Sequence, residues 1–175
     1  MKVCFTGKRP KDLFGYYDKK KYKDMIFDLS VICSDQILYH NANEFITGGA
    51  QGTDQLAFWT INKLKNRFPE IKNTVYLPFS GQETKWSQEG MFSRKEYRQM
   101  LSYADKIVTI GKDKNTGYFL RNKAMVDNSD LVIVVATKDN ISGGTKYTYD
   151  YAVSKNKDIL LYDPFDRLCK NSKVK

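Results

Sequence analysis

Two glycine-containing turns restrict the fold of this chain more than any other feature of its sequence. Residues 47–54 (TGGAQGTD) and residues 142–145 (SGGT) each follow an apolar run typical of a buried strand, and each precedes a stretch with helical spacing. Glycines at a strand end let the backbone turn sharply, and the N–H groups that open the next helix then attract an anion. The two turns together predict an α/β protein that holds a nucleotide-like ligand between them.

Strands and helices alternate along the rest of the chain. Strands are predicted at 2–6, 44–47, 74–78, 106–110, 131–136 and 158–162, helices at 22–32, 57–68, 93–102, 119–127 and 144–154, and a loop at 111–117. The run 131–136 (LVIVVA) is apolar on both faces, as a central parallel strand requires. The alternation predicts a mostly parallel sheet covered by helices on both faces. Ligands bind such sheets beyond the carboxyl ends of the strands, so we expect both turns and residues 6–7 to converge there.

Length and composition indicate one folded domain. The 175 residues are predicted to form a single domain at 1–164 and a basic C-terminal tail at 165–175. No apolar run reaches the length of a membrane span and no signal peptide is recognised, which favours a cytoplasmic protein without membrane contact. The three cysteines form no C-x-x-C pair and the single histidine is isolated, so we expect no metal and no cofactor.

The net charge of +9 has two interpretations. The charge indicates either an ordinary solvated basic surface or a protein that attracts phosphates, on a small nucleotide or on nucleic acid. The sequence contains no arginine-rich tract and no aromatic ribonucleoprotein motif, so single-stranded nucleic acid stays an alternative partner.

Candidate ligand residues follow the strand ends. Arg9 supplies a forked cation suited to phosphate or carboxylate, unless it belongs to an ordinary exposed turn. Asp54 either caps the helix that follows it or accepts hydrogen bonds from ribose hydroxyls. The turn at 47–54 matches neither the P-loop nor the G-x-G-x-x-G fingerprint. The ligand-binding set that we predict is Thr6, Gly7, Arg9, Gly48, Gly49, Ala50, Gly52, Thr53, Asp54, Arg121, Asn122, Gly143, Gly144, Thr145 and Thr148.

Aromatic residues leave more alternatives open. Trp86 lies in a long polar loop, where it could stack on a base or cover the edge of the core. Tyr147 and Tyr151 are four residues apart on a predicted helix, which favours packing over chemistry.

Five motifs in order resemble the YpsA-like family of the SLOG superfamily. Residues 6–10 (TGKRP) resemble its T-G-x-R-P opening, and residues 47–54, with Ala57 after them, are similar to its middle motif. The other three are Gln82 with Trp86 for Q-x-x-x-W, residues 121–130 for R-N-x-x-M-V-D-x-S-D, and residues 143–152 for G-G-T-x-x-T-x-x-Y-A. The resemblance runs to about Pro164. It implies a three-layer Rossmann-like fold, a nucleotide-type ligand at the glycine turns, and a bacterial or phage origin.

Two relatives within the superfamily imply different activities. DprA proteins bind single-stranded DNA, whereas LOG enzymes hydrolyse the N-glycosidic bond of nucleoside monophosphates. The LOG glutamate corresponds to Thr148, which cannot replace a carboxylate, although Asp54, Asp127 or Asp150 could substitute for it. We therefore predict a nucleotide-binding sensor or sequestering module. An N-glycosidase using Asp54 and Arg121, and DprA-like DNA binding, are the alternatives, and homo-oligomer formation is left open.

Overall fold

A computed structural model describes residues 1–137, 139 and 141–172, without the side chains of 171 and 172. Its strands are β1 (Lys2–Gly7), β2 (Glu44–Thr47), β3 (Lys72–Leu77), β4 (Lys106–Thr109), β5 (Leu131–Val135), β6 (Asp158–Asp163) and β7 (Leu168–Ser172). Its α-helices are α1 (Lys19–His40), α2 (Thr53–Leu64), α3 (Arg94–Ser102), α4 (Lys114–Asp127) and α5 (Gly143–Ser154). A short 3-10 turn spans Pro10–Asp12.

The strands form one sheet in the order β4-β3-β2-β1-β5-β6-β7. All neighbours are parallel except β6 and β7, which are antiparallel. Strand β1 lies in the middle, with Val3 opposite Phe45 on one side and opposite Leu131 on the other. The chain builds outward from β1 to β4 and then crosses to β5. The strand order therefore reverses between β1 and β5, which is where open α/β sheets bind ligands.

Helices cover both faces of the sheet, so the three-layer α/β prediction is confirmed. On one face α1 and α2 pack on Val3, Phe5 and Ile133. On the other face α4 and α5 pack on Cys4 and Val132. Because successive strand residues point to opposite faces, the apolar run of β5 is buried on both sides, as a central strand demands.

The chain departs from the predicted elements at a few boundaries. Helix α4 begins inside the predicted loop at 111–117, because the Asp113 carboxylate accepts hydrogen bonds from the N–H groups of Asn115 and Thr116 and caps it. Strand β7 lies in the segment predicted as a basic tail, where the sequence LCKNS carries no alternating apolar pattern. Residues 173–175 of that tail lie outside the described residues. No helix in the described part of the chain is long and apolar enough to cross a membrane.

Candidate functional site

A cavity of about 680 Å³ opens at the carboxyl ends of the strands, beside the reversal of strand order between β1 and β5. It is lined by the segment after β1, the start of α2, one face of α4 and the first turn of α5. The structure brings together here most of the predicted ligand residues, namely Thr6, Gly7, Arg9, Ala50, Asp54, Arg121, Asn122, Gly143, Gly144, Thr145 and Thr148.

The other four predicted residues, Gly48, Gly49, Gly52 and Thr53, do not line the cavity. The Gly48 carbonyl accepts hydrogen bonds from Arg121 Nη1 at 2.5 Å and from Gln82 Nε2 at 3.3 Å. Thr53 Oγ1 donates to the carbonyl oxygen of Lys8 at 3.1 Å, which ties α2 to the segment after β1. These residues position the wall, and their role as direct ligand contacts stays a prediction.

Gly48 is required by close packing rather than by an unusual backbone angle. A Cβ atom at this position would overlap the guanidinium of Arg121. The glycine therefore lets a cation approach the backbone of the turn between β2 and α2. Sequence reasoning assigned the close approach at this turn to a ligand, whereas at Gly48 it is made by a side chain of the protein itself.

Asp54 and Arg121 form a buried ion pair at the cavity. Asp54 Oδ2 lies 3.6 Å from Arg121 Nη1 and accepts a hydrogen bond from the Ala50 N–H at 3.0 Å. Burial raises the pKa of the Asp54 carboxyl, against the opposing attraction of Arg121 and Arg9. Burial likewise lowers the pKa of Arg121, against the attraction of Asp54. Asp54 closes the glycine turn and orients Arg121, and it is not the N-cap of α2, which is Gly52.

The guanidinium of Arg121 is buried and not fully hydrogen-bonded. The residue is only 4% exposed, and its Nε has no hydrogen-bond partner among the residues that the structure describes. A buried donor without an acceptor is costly, so an unmet partner is expected for it. Since Arg121 lines the cavity, a ligand carrying an acceptor oxygen would meet a guanidinium there that is not fully hydrogen-bonded.

The N-terminus of α5 faces the cavity without a side-chain cap. Ser142 occupies the cap position, but its Oγ accepts a hydrogen bond from Lys8 Nζ at 2.6 Å and caps no N–H group. An α-helix leaves its first N–H groups without an intrahelical acceptor. A Cβ atom on Gly144 would meet nothing within 4 Å, which leaves the approach to these groups open. This end of α5 is therefore suited to an anion.

Lys8 is a site residue that sequence reasoning missed. It is buried, it lines the cavity, and its hydrogen bond to Ser142 joins the end of β1 to the start of α5. Its position directly after Gly7 in the TGKRP motif could have identified it as a candidate. Cationic side chains outnumber carboxylates in the lining, with Lys8, Arg9, Lys11, Lys114 and Arg121 against Asp12 and Asp54. The cavity thus favours a negatively charged ligand.

The carboxylates considered for hydrolysis are not equally placed. Thr148 donates its hydroxyl to the carbonyl of Gly144 at 2.9 Å, inside its own helix. Asp127 accepts a hydrogen bond from Tyr151 at 3.0 Å, and Asp150 pairs with Lys146 at 2.9 Å, both outside the cavity lining. Of the three substitutes for a catalytic glutamate, Asp54 is the one at the cavity, where it is already engaged by Arg121.

Trp86 follows the second of its two interpretations and covers the edge of the core. Its ring packs edge-on against Tyr97, with centroids 5.1 Å apart, and it does not line the cavity. Gln82 donates to the Tyr97 hydroxyl at 2.9 Å and so supports the turn from behind.

Comparison with known proteins identifies related sequences. Residues 3–163 match the model of the YspA SLOG family, YpsA. The chain is 37% identical over 145 residues to the uncharacterized SPbeta prophage-derived protein YoqJ of Bacillus subtilis (strain 168), covering 75% of this chain and 80% of that protein. It is 29% identical over 157 residues to a UPF0398 protein of Halalkalibacterium halodurans, covering 86% of this chain and 77% of that protein.

Two solved structures of DNA processing protein A share the fold. The Helicobacter pylori protein, described by its single-stranded DNA binding mode, matches with a TM-score of 0.57 and 15% identity, covering 95% of this chain and 70% of that chain. The Streptococcus pneumoniae protein matches with a TM-score of 0.59 and 16% identity, covering 92% of this chain and 50% of that chain. At this level of identity the likeness supports the Rossmann-type architecture alone.

Proposed function

The chain belongs to the YspA SLOG family, and from this premise we propose that it binds a nucleotide-type ligand in the cavity at the carboxyl end of β1. The observation that carries the proposal is the unpartnered Nε of buried Arg121, next to a helix N-terminus with no side-chain cap. Both features favour an anionic oxygen ligand, and phosphate is the usual anion at such a helix end.

Each wall of the cavity contributes a different interaction to this binding. The N–H groups of Gly143 to Thr145 hold a phosphate group, with Arg9 and Lys8 adding positive charge. Arg121 donates a hydrogen bond from its guanidinium to the ligand, and Asp54 keeps the guanidinium in place. Thr6 and Asn122 are left to contact the sugar or the base.

The carboxylate chemistry favours binding over turnover. Hydrolysis of an N-glycosidic bond needs a carboxylate free to stabilise charge or activate water. Asp54 is held by the Ala50 N–H and by Arg121, and Thr148 stands where the LOG enzymes carry glutamate. We therefore propose a sensor or sequestering module that acts in the cytoplasm. Release of free base during incubation with nucleoside monophosphates would indicate a hydrolase instead.

A pair of variants at Gly144 tests the proposed cradle. Gly144→Glu and Gly144→Gln place side chains of nearly equal size where a Cβ meets nothing within 4 Å, so both are expected to fold. We expect the glutamate to weaken nucleotide binding by about tenfold more than the glutamine, since it adds a negative charge beside the phosphate. A thermal-shift screen with nucleotides, and mass spectrometry of molecules released from the denatured protein, would measure this. Equal affinity for both variants and the unmodified protein would refute the cradle.

Single-stranded DNA is a second candidate ligand. The net charge of +9 favours it, and the similar Helicobacter pylori protein is described as binding single-stranded DNA. Binding to DNA that neutralises several phosphates weakens steeply as salt rises. Fluorescence anisotropy with a labelled oligonucleotide at increasing salt tests this candidate, and no binding at low salt would exclude it.

A further inference from the structure

Aromatic rings line the cavity next to the cationic residues, and the proposed cradle does not use them. They are Tyr118 and Phe119 of α4 and Tyr147 of α5. Phe119 is 52% exposed although it sits at the mouth of the cavity. Packing between α4 and α5 thus leaves a large apolar ring in contact with solvent beside the cationic residues of the cavity.

The geometry of the Phe119–Tyr147 pair leaves ring faces available. The two centroids are 4.9 Å apart and the ring planes meet at 73°, an edge-to-face contact. In such a pair the edge of one ring meets one face of the other, so the remaining faces are not covered by the pair. A flat aromatic ligand group can stack on such a face, which would remove apolar surface from water.

The cavity side of α4 surrounds these rings with hydrogen-bonding groups. Asn115 lies four residues before Phe119 and Asn122 lies three residues after it, so all three share one helical face, and all line the cavity. An amide side chain both donates and accepts hydrogen bonds. Proteins often hold a nucleobase in this way. The face of the base stacks on an aromatic side chain, and the edge of the base forms hydrogen bonds with polar groups.

We propose that Phe119 and Tyr147 form a nucleobase subsite, so that the ligand is a base-bearing nucleotide and not a sugar phosphate or inorganic phosphate. This inference rests on the proposed function, because the phosphate end is held at α5 and Arg121. Helix α4 contributes a contact to both ends of the ligand, since Arg121 binds the anion and Phe119 binds the base. Both residues line the same cavity, so one ligand can reach the anion site and the rings together.

Calorimetric titration of paired ligands tests the subsite. The ligands are AMP, GMP, CMP, UMP and ADP, compared with ribose 5-phosphate, which keeps the phosphate and lacks the base. We expect Phe119→Ala to weaken binding of at least one nucleotide by roughly 5- to 150-fold, the usual loss when an aromatic partner of a base is removed. Affinity for ribose 5-phosphate is expected to stay unchanged.

Phe27→Ala is the matched control. Phe27 is 63% exposed on α1 and does not line the cavity, so its loss should change neither affinity. If Phe119→Ala binds every nucleotide as tightly as the unmodified protein, the subsite is refuted while the phosphate cradle stands. If the unmodified protein binds ribose 5-phosphate and no nucleotide, the subsite is again refuted. If it binds neither class, the proposed function falls and the subsite falls with it.

Discussion

At the scale of single residues, Arg121 connects the glycine turn to the cavity. Its guanidinium donates to the Gly48 carbonyl and faces Asp54 across 3.6 Å. The motif at 121–130 identified this arginine as a candidate, and the structure brings it to the cavity. The sequence contains no sign that the arginine packs so closely on residue 48 that a side chain there would overlap it. That requirement arises from two segments far apart in the chain, and only the folded structure brings them together.

Removing the cation at position 121 should destabilise the protein strongly. Arg121→Met leaves Asp54 buried without its partner, and breaking a buried pair in this way costs about 3–5 kcal/mol in the free energy of unfolding. Urea denaturation followed by circular dichroism at pH 7 measures this loss. The double variant Arg121→Met with Asp54→Asn should regain part of it, because it carries no uncompensated charge. Equal stability of the single and the double variant would contradict the ion pair.

At the scale of elements, the starts of helices were harder to predict than their centres. Gly117 lies in the first half of α4, where a glycine suggests a loop to sequence reasoning. In the structure a Cβ atom at this position would lie 2.5 Å from the carbonyl oxygen of Pro78. The glycine therefore permits α4 to approach the end of β3, and Asp113 supplies the cap. A contact between distant segments overrides the local preference of the residue.

Helix α1 is tied to the turn between β6 and β7 by a cluster around Asp28. Arg167 donates to both oxygens of Asp28, at 2.9 and 2.6 Å, and the Tyr162 hydroxyl donates at 2.8 Å. Burial alone would raise the pKa of Asp28, but the hydrogen bonds from Arg167 and Tyr162 outweigh it and hold that pKa below its ordinary value.

The sign of this shift predicts how stability depends on pH. A carboxyl whose pKa is lower in the folded state stabilises the protein above its unfolded pKa, near 4, and loses that contribution as pH falls through the folded value. We therefore expect Asp28→Asn to melt at a lower temperature than the unmodified protein at pH 7. The difference should shrink below about pH 4. Melting curves from pH 7 to pH 3 measure it, and a constant difference would contradict the role of the charge.

At the scale of the whole molecule, the position of the cavity could be predicted from the topology. Alternating strands and helices predict a parallel sheet, and glycine turns at strand ends predict where a ligand approaches it. The aromatic side of the cavity was not predictable in this way. Phe119 and Tyr147 belong to different helices, and their spacing along the chain gives no indication that the two rings meet at 4.9 Å. Trp86, which the sequence suggested as a residue that could stack on a base, packs on the core instead.

Strand β7 is expected to contribute to the stability of the molecule without contributing residues to the cavity. A chain ending at Pro164 would lose β7, the Arg167 contacts with Asp28, and Phe165, whose ring packs 5.1 Å from that of Phe14. It would also expose the edge of β6. The residues that line the cavity all precede position 149, so none of them is removed.

We therefore expect the shortened chain to melt roughly 5–10 °C lower, a loss of a few kcal/mol for a domain of this size. It should still bind nucleotides below its melting temperature. Calorimetry of both chains, with and without the nucleotide that stabilises the full chain most, distinguishes the outcomes. An unchanged melting temperature would place the domain boundary at 164, as the sequence predicts. A folded chain that no longer binds would mean that the segment after Pro164 supports the cavity, through the packing of Phe165 on Phe14.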